Sequence, residues 1–74
     1  MEILSSRLKL LRNNLNVTQK AIAQNIGISE RNYIRLENNI VIPTVETLLL
    51  LCEYFQCSSD YLLGLSDNPQ SNKL

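Results

Sequence analysis

The stretch that decides the reading runs from Thr18 to Glu37, TQKAIAQNIGISERNYIRLE. It reads as helix, sharp turn, helix. Ser29 is a candidate N-cap, because its hydroxyl can accept from the free backbone N–H groups of the turn that follows. Gly27 stands where a tight turn between helices wants a positive φ, which costs glycine nothing because it has no Cβ. Helical spacing then sorts the second helix into two sides. Tyr33 and Leu36 fall on the buried side, with Ser29 and Glu37 at its margins. Arg31, Ile34, Arg35 and Asn38 fall on the opposite side. A short helix with two arginines and an asparagine on its free face, propped on a second helix, has the shape and chemistry to enter a DNA major groove.

The rest of the chain agrees with a small helical domain. Its 74 residues are 45% hydrophobic, enough for one compact core and too few for two. Two glycines and two prolines leave few helix breaks, and the 3.6-type apolar spacing points to an all-α, compact five-helix bundle. The domain spans 1–65, and the polar stretch SDNPQSNKL within 66–74 reads as a disordered tail. No apolar run reaches membrane length, and MEILSSRLKLL is no signal peptide, so a cytoplasmic protein with no membrane partner is expected. There is no histidine, and Cys52 and Cys57 lie five apart, so a zinc site or other metal or cofactor is not expected and the thiols read as reduced core residues.

Net charge is zero, which is unusual for a nucleic-acid binder, yet the charges are unevenly placed. Residues 1–36 carry six cations and two acids, whereas residues 37–74 carry one cation and five acids. The basic half contains the candidate recognition helix.

Helix 1 is expected from Ile3 to Asn14, with Leu4, Leu8, Leu11 and Leu15 as its apolar stripe. Thr18 caps helix 2, whose Ile22 and Ile26 face inward. Helix 3 runs from Glu30 to Asn38. Thr44, behind Pro43, caps helix 4, whose Val45, Leu48, Leu51, Cys52 and Phe55 suit the core. Four consecutive leucines, Leu48 to Leu51, cannot all hide in one stripe, so an exposed contact surface is expected, with a homodimer as its first use. Ser58 or Ser59 caps a short helix 5 that Gly64 ends.

These residues, in this order, resemble the Cro and phage-repressor (XRE-type) helix-turn-helix family. The resemblance lies in Thr18-Gln19, Ile22-Ala23, Gly27-Ile28-Ser29, Tyr33 and Leu36-Glu37, then Pro43 followed by TVETLLLLCEYF and CSSDYLLG. It implies a lambda-repressor-like DNA-binding domain. It also implies that Gln19 touches a phosphate and braces the recognition helix. By the same resemblance Glu30, Arg31 and Arg35 read base edges, Asn38 lies near the sugar–phosphate backbone, and Arg12 pairs with Glu37. The loop Asn39-Ile40-Val41-Ile42 departs from the family, which commonly has a glycine at the first of these positions and cations after it. Leu50 stands where the family is often polar.

The chemistry of each position can be argued separately. Arg31 and Arg35 can each fork onto guanine O6 and N7. Ile34 either meets a thymine methyl or is a tolerated exposed residue. Glu30 either accepts from a cytosine amino group or holds Gln19 or Arg31 in place. Tyr33 reads as core, with its hydroxyl at the rim. Arg7, Lys9 and Lys20 join Gln19 and Asn38 as candidate phosphate contacts. Two functions follow: a sequence-specific double-stranded DNA-binding regulator, acting as a dimer on a near-palindromic operator, or an antitoxin-like module whose main task is binding a protein partner. Without a histidine, a phosphate loop or a nucleophile–base pair, an enzyme is not expected.

Overall fold

In the computed structural model, which describes residues 1–70, the chain forms five helices: α1 (Glu2–Leu15), α2 (Gln19–Ile26), α3 (Glu30–Glu37), α4 (Val45–Phe55) and α5 (Ser59–Leu63). Four of the starts are capped by a hydroxyl that accepts from the backbone N–H three residues on. Thr18 accepts from Ala21 at 3.0 Å, Ser29 from Asn32 at 3.1 Å, Thr44 from Thr47 at 3.1 Å and Ser58 from Tyr61 at 3.0 Å. Each cap satisfies one of the N–H groups that a helix start leaves unpaired.

The connections turn through left-handed residues. Gly27 (φ 81°) ends α2 and Gly64 (φ 84°) ends α5. Asn16, Asn39 and Gln56 adopt the same region at φ 57°, 60° and 55°. Asn39 therefore does what a glycine would do after α3, and the Ile40 N–H closes the helix end on the Arg35 carbonyl at 3.0 Å.

All five helices feed one core. Leu4 and Leu8 of α1, Ile22, Ala23 and Ile26 of α2, and Tyr33 and Leu36 of α3 meet Leu51 and Phe55 of α4 and Tyr61 and Leu62 of α5. Helix α3 packs on α2 and α1, while α5 closes against α1 and α4.

Two apolar residues expected in the core are not there. Leu15 is exposed at the end of α1, where the chain has already turned, and Val17 covers that edge of the core instead. Val45, first in α4, points outward. Within the leucine run, Leu51 is buried, Leu48 and Leu50 are half-buried, and Leu49 is the exposed one.

Cys57 is buried and Cys52 half-buried, both as free thiols. Burial pushes both up, Cys57 to about 11 with the neighbouring Cys52 adding to the effect, so both are protonated at neutral pH.

Residues 66–70, where the sequence suggested the start of a disordered tail, fold back on the body. The Ser58 N–H donates to the Pro69 carbonyl at 2.9 Å, and Asp67 pairs with Arg7 at 2.9 Å. The remainder of that tail, 71–74, lies outside the described residues.

Candidate nucleic-acid interface

Helix α3 is fixed on one side and free on the other. Its inner side carries Tyr33, Leu36 and Glu37, all buried. Glu37 is a carboxylate at 1% exposure, and such a group stays ionised only if charge and hydrogen bonds compensate it. Arg12 of α1 supplies both in a two-point contact, Nε to Oε2 at 2.7 Å and Nη2 to Oε1 at 3.1 Å. Gln19 Nε2 donates to Oε1 at 3.2 Å. Burial pushes the Glu37 carboxyl up, but the hydrogen bonds from Arg12 and Gln19, with Tyr33 beside it, outweigh that and hold it below the ordinary glutamate value. Arg12 also donates to the Val17 carbonyl at 3.3 Å. One side-chain cluster thus ties α1, the start of α2 and the end of α3 together. The Ser5 hydroxyl adds a second tie, donating to the Leu36 carbonyl at 2.9 Å.

Tyr33 does not reach the rim. It is fully buried, and its hydroxyl forms no hydrogen bond among the described residues. Burial, with the Glu37 carboxylate adjacent, pushes its ionisation far up, so it stays neutral.

The free side carries Glu30, Arg31 and Asn38 exposed, and Ile34 and Arg35 half-buried. Among the described residues, no ion pair engages Arg31 or Arg35; the two pairs formed are Arg7–Asp67 and Arg12–Glu37. Glu30 lies in the first turn of α3, where its charge complements the helix dipole. It does not hold Gln19, whose amide is committed to Glu37. Lys20, at the start of α2, and Lys9 of α1 are exposed, and Gln19, next to Lys20 in sequence, is half-buried.

Arg7 is the exception among the expected phosphate contacts. Its guanidinium lies 4.2 Å from the centre of the Tyr61 ring and donates to the carbonyls of Tyr61 and Ser66 and to the Asp67 carboxylate. The cation is spent on holding α1 to α5, because Leu8 and its neighbours bring that side of α1 against α5. The sequence shows Arg7 only as a cation off the apolar stripe, and nothing local distinguishes it from Lys9.

The sequence reading also passed over an open groove of about 220 Å³ beside α3, lined by Ile28, Asn32, Leu36, Val41, Ile42 and Thr47 among others. Its signal was the uncharged loop, whose Val41 packs on the core while Ile40 and Ile42 stay exposed.

Comparison with known proteins places this geometry. The helix-turn-helix family model HTH_3 matches residues 8–62. The chain is 35% identical over 63 residues to the uncharacterized HTH-type transcriptional regulator YobD of Bacillus subtilis (strain 168), covering 85% of this chain and 56% of that protein. It is 34% identical over 70 residues to the HTH-type transcriptional regulator ImmR of the same organism, covering 95% and 55%. The chain thus spans about half the length of these curated relatives. Among solved structures, the P22 c2 repressor in complex with synthetic operator 9T superposes with a TM-score of 0.78 at 31% identity, over 84% of this chain and 94% of that one.

Proposed function

The chain belongs to the helix-turn-helix family of XRE and phage-repressor type, and from that membership we propose that it is a sequence-specific double-stranded DNA-binding transcriptional regulator, acting as a repressor. Helix α3 enters the major groove with its first turns. Arg31 and Arg35 address guanines, each good two-point contact being worth roughly 1–3 kcal/mol of discrimination. Glu30 and Ile34 contact neighbouring bases, and Gln19, Asn38, Lys9 and Lys20 set register on the phosphates. The observation that carries the reading is the contrast between the two sides of α3: a clamped inner side and an outer side whose arginines form no ion pair among the described residues.

Two copies acting on a near-palindromic operator place their α3 helices in successive major grooves, about 34–36 Å apart. Pairing offsets the small number of free cations in each copy. This reading places the protein in the cytoplasm and gives it no catalytic role. The antitoxin-like alternative is less favoured, because the matched structures include a repressor in complex with a synthetic operator.

Selection of bound sequences from a random DNA pool tests it. The expected result is a two-fold symmetric consensus. Arg31→Ala is expected to relax the preference at one position of each half-site. Equal weakening on all sequences would overturn the base-reading assignment, and an unenriched pool would overturn the function.

A further inference from the structure

Helix α4 carries an outer strip that the DNA-binding reading leaves unused. Val45 is 74% exposed and Leu49, one turn on, is 60% exposed. At 100° per residue Val45 and Leu49 both lie roughly 160° around α4 from Thr47, which lines the groove beside α3. The strip therefore faces away from α3 and stays open while α3 is in a groove. Glu46 and Glu53 stand two turns apart along one border of it, both exposed. From Asn38 to Gln70 there is no lysine or arginine to offset them. Of the other acids of this half, Glu37 is held by Arg12 and Asp67 by Arg7, while Asp60 stands on α5, in that helix's first turn.

This pattern selects among occupants. A second copy packed antiparallel through Leu49 would set Glu46 of each copy opposite Glu53 of the other, twice, with no cation in either helix to offset the repulsion. Anionic lipid headgroups and nucleic acid are repelled by the same pair. A helix whose apolar stripe is bordered by Lys or Arg matches both features: its aliphatic side chains cover Val45 and Leu49, and its cations meet Glu46 and Glu53. We propose that the outer face of α4 is a docking surface for a basic amphipathic helix of a partner protein, available while α3 holds DNA.

The test titrates the ¹⁵N-labelled full chain with a synthetic helical peptide carrying leucines at i, i+4 and i+7 flanked by lysines, and with its counterpart bearing glutamates instead. The lysine peptide alone is expected to shift the amides of Val45, Glu46, Leu49 and Glu53, leaving those of Glu30 to Arg35 in place. Leu49→Ser, and Glu46→Lys with Glu53→Lys, are each expected to weaken it about tenfold. These positions are exposed, and an undisturbed amide spectrum reports that the variants remain folded. No shift, equal shifts with the glutamate peptide, or shifts confined to α3 would overturn the proposal. So would dilution-dependent shifts on α4 without peptide, because the occupant would then be a second copy.

Discussion

Glu37 is the side chain on which Arg12 and Gln19 converge, and its surroundings set how the domain responds to mutation and acid. Arg12→Met leaves a buried carboxylate without its cation, and a loss of about 3 kcal/mol is expected in urea unfolding. Replacing both partners with apolar residues, Arg12→Met with Glu37→Leu, is expected to be milder than Arg12→Met alone, because no uncompensated charge remains. Acid acts through the same group. The folded-state Glu37 carboxyl titrates below the ordinary glutamate value, so its contribution is complete above that value and is lost as pH falls through the lowered one. Glu37→Gln is therefore expected to cost stability at pH 7 and to lose that penalty progressively as pH falls below the ordinary glutamate value, read from urea curves over a pH series. Tyr33→Phe removes a buried hydroxyl that has no hydrogen-bond partner among the described residues. Unchanged stability, or a gain of up to about 1 kcal/mol, is expected, and a clear loss would mean that the hydroxyl donates to Glu37. The need of Glu37 for a cation is readable from its place at the border of the buried side. The inward turn of Arg7 is not, because it depends on where α5 and residues 66–67 come to rest, 54 to 60 residues away.

At the scale of elements, helix starts are the most legible part of the chain. A serine or threonine stands before each of α2, α3, α4 and α5, and its own chemistry fixes the cap. Helix ends are less so: Gln56 takes a left-handed conformation at φ 55° although glutamine has no preference for it. Which of the four leucines of α4 faces outward is set by how α4 seats on α2 and α5, and the run itself does not encode it. The two glycine turns differ in a way that mutation can separate. A Cβ on Gly27 meets nothing within 4 Å, so Gly27→Ala is expected to cost only the backbone strain of positive φ, about 1 kcal/mol. At Gly64 a Cβ would stand 2.9 Å from Ile3 Cδ1. Gly64→Ala is expected to cost more, and truncating Ile3 to alanine in that background should remove the excess over the strain at Gly27. Urea curves of these three variants, and of Ile3→Ala alone, check this.

On the scale of the whole molecule, neutrality is reached by separating charges, and the structure reduces the working cations further. Of the six cations up to residue 36, Arg7 and Arg12 are engaged internally, leaving Lys9, Lys20, Arg31 and Arg35 for the phosphates and bases of the proposed operator complex. The salt dependence of operator binding is accordingly expected to be shallow, with log K falling against log salt at a slope of about −2 per copy from Lys9 and Lys20 on phosphates, and no steeper than about −4 with all four cations counted. Fluorescence anisotropy over a salt series measures it, and a markedly steeper slope would mean that Arg7 or Arg12 leaves its partners on binding. The Arg7 clasp bears also on how the molecule comes into being. Its acceptors lie 54, 59 and 60 residues further along the chain. Helix α1 emerges from the ribosome before these acceptors, and only its ties to α3 through Ser5 and Arg12 can form sooner. The helix-turn-helix pair can form beforehand, but the finished domain has to wait until Asp67 has emerged, so synthesis stalled before that point should yield a chain that proteases cut within α1.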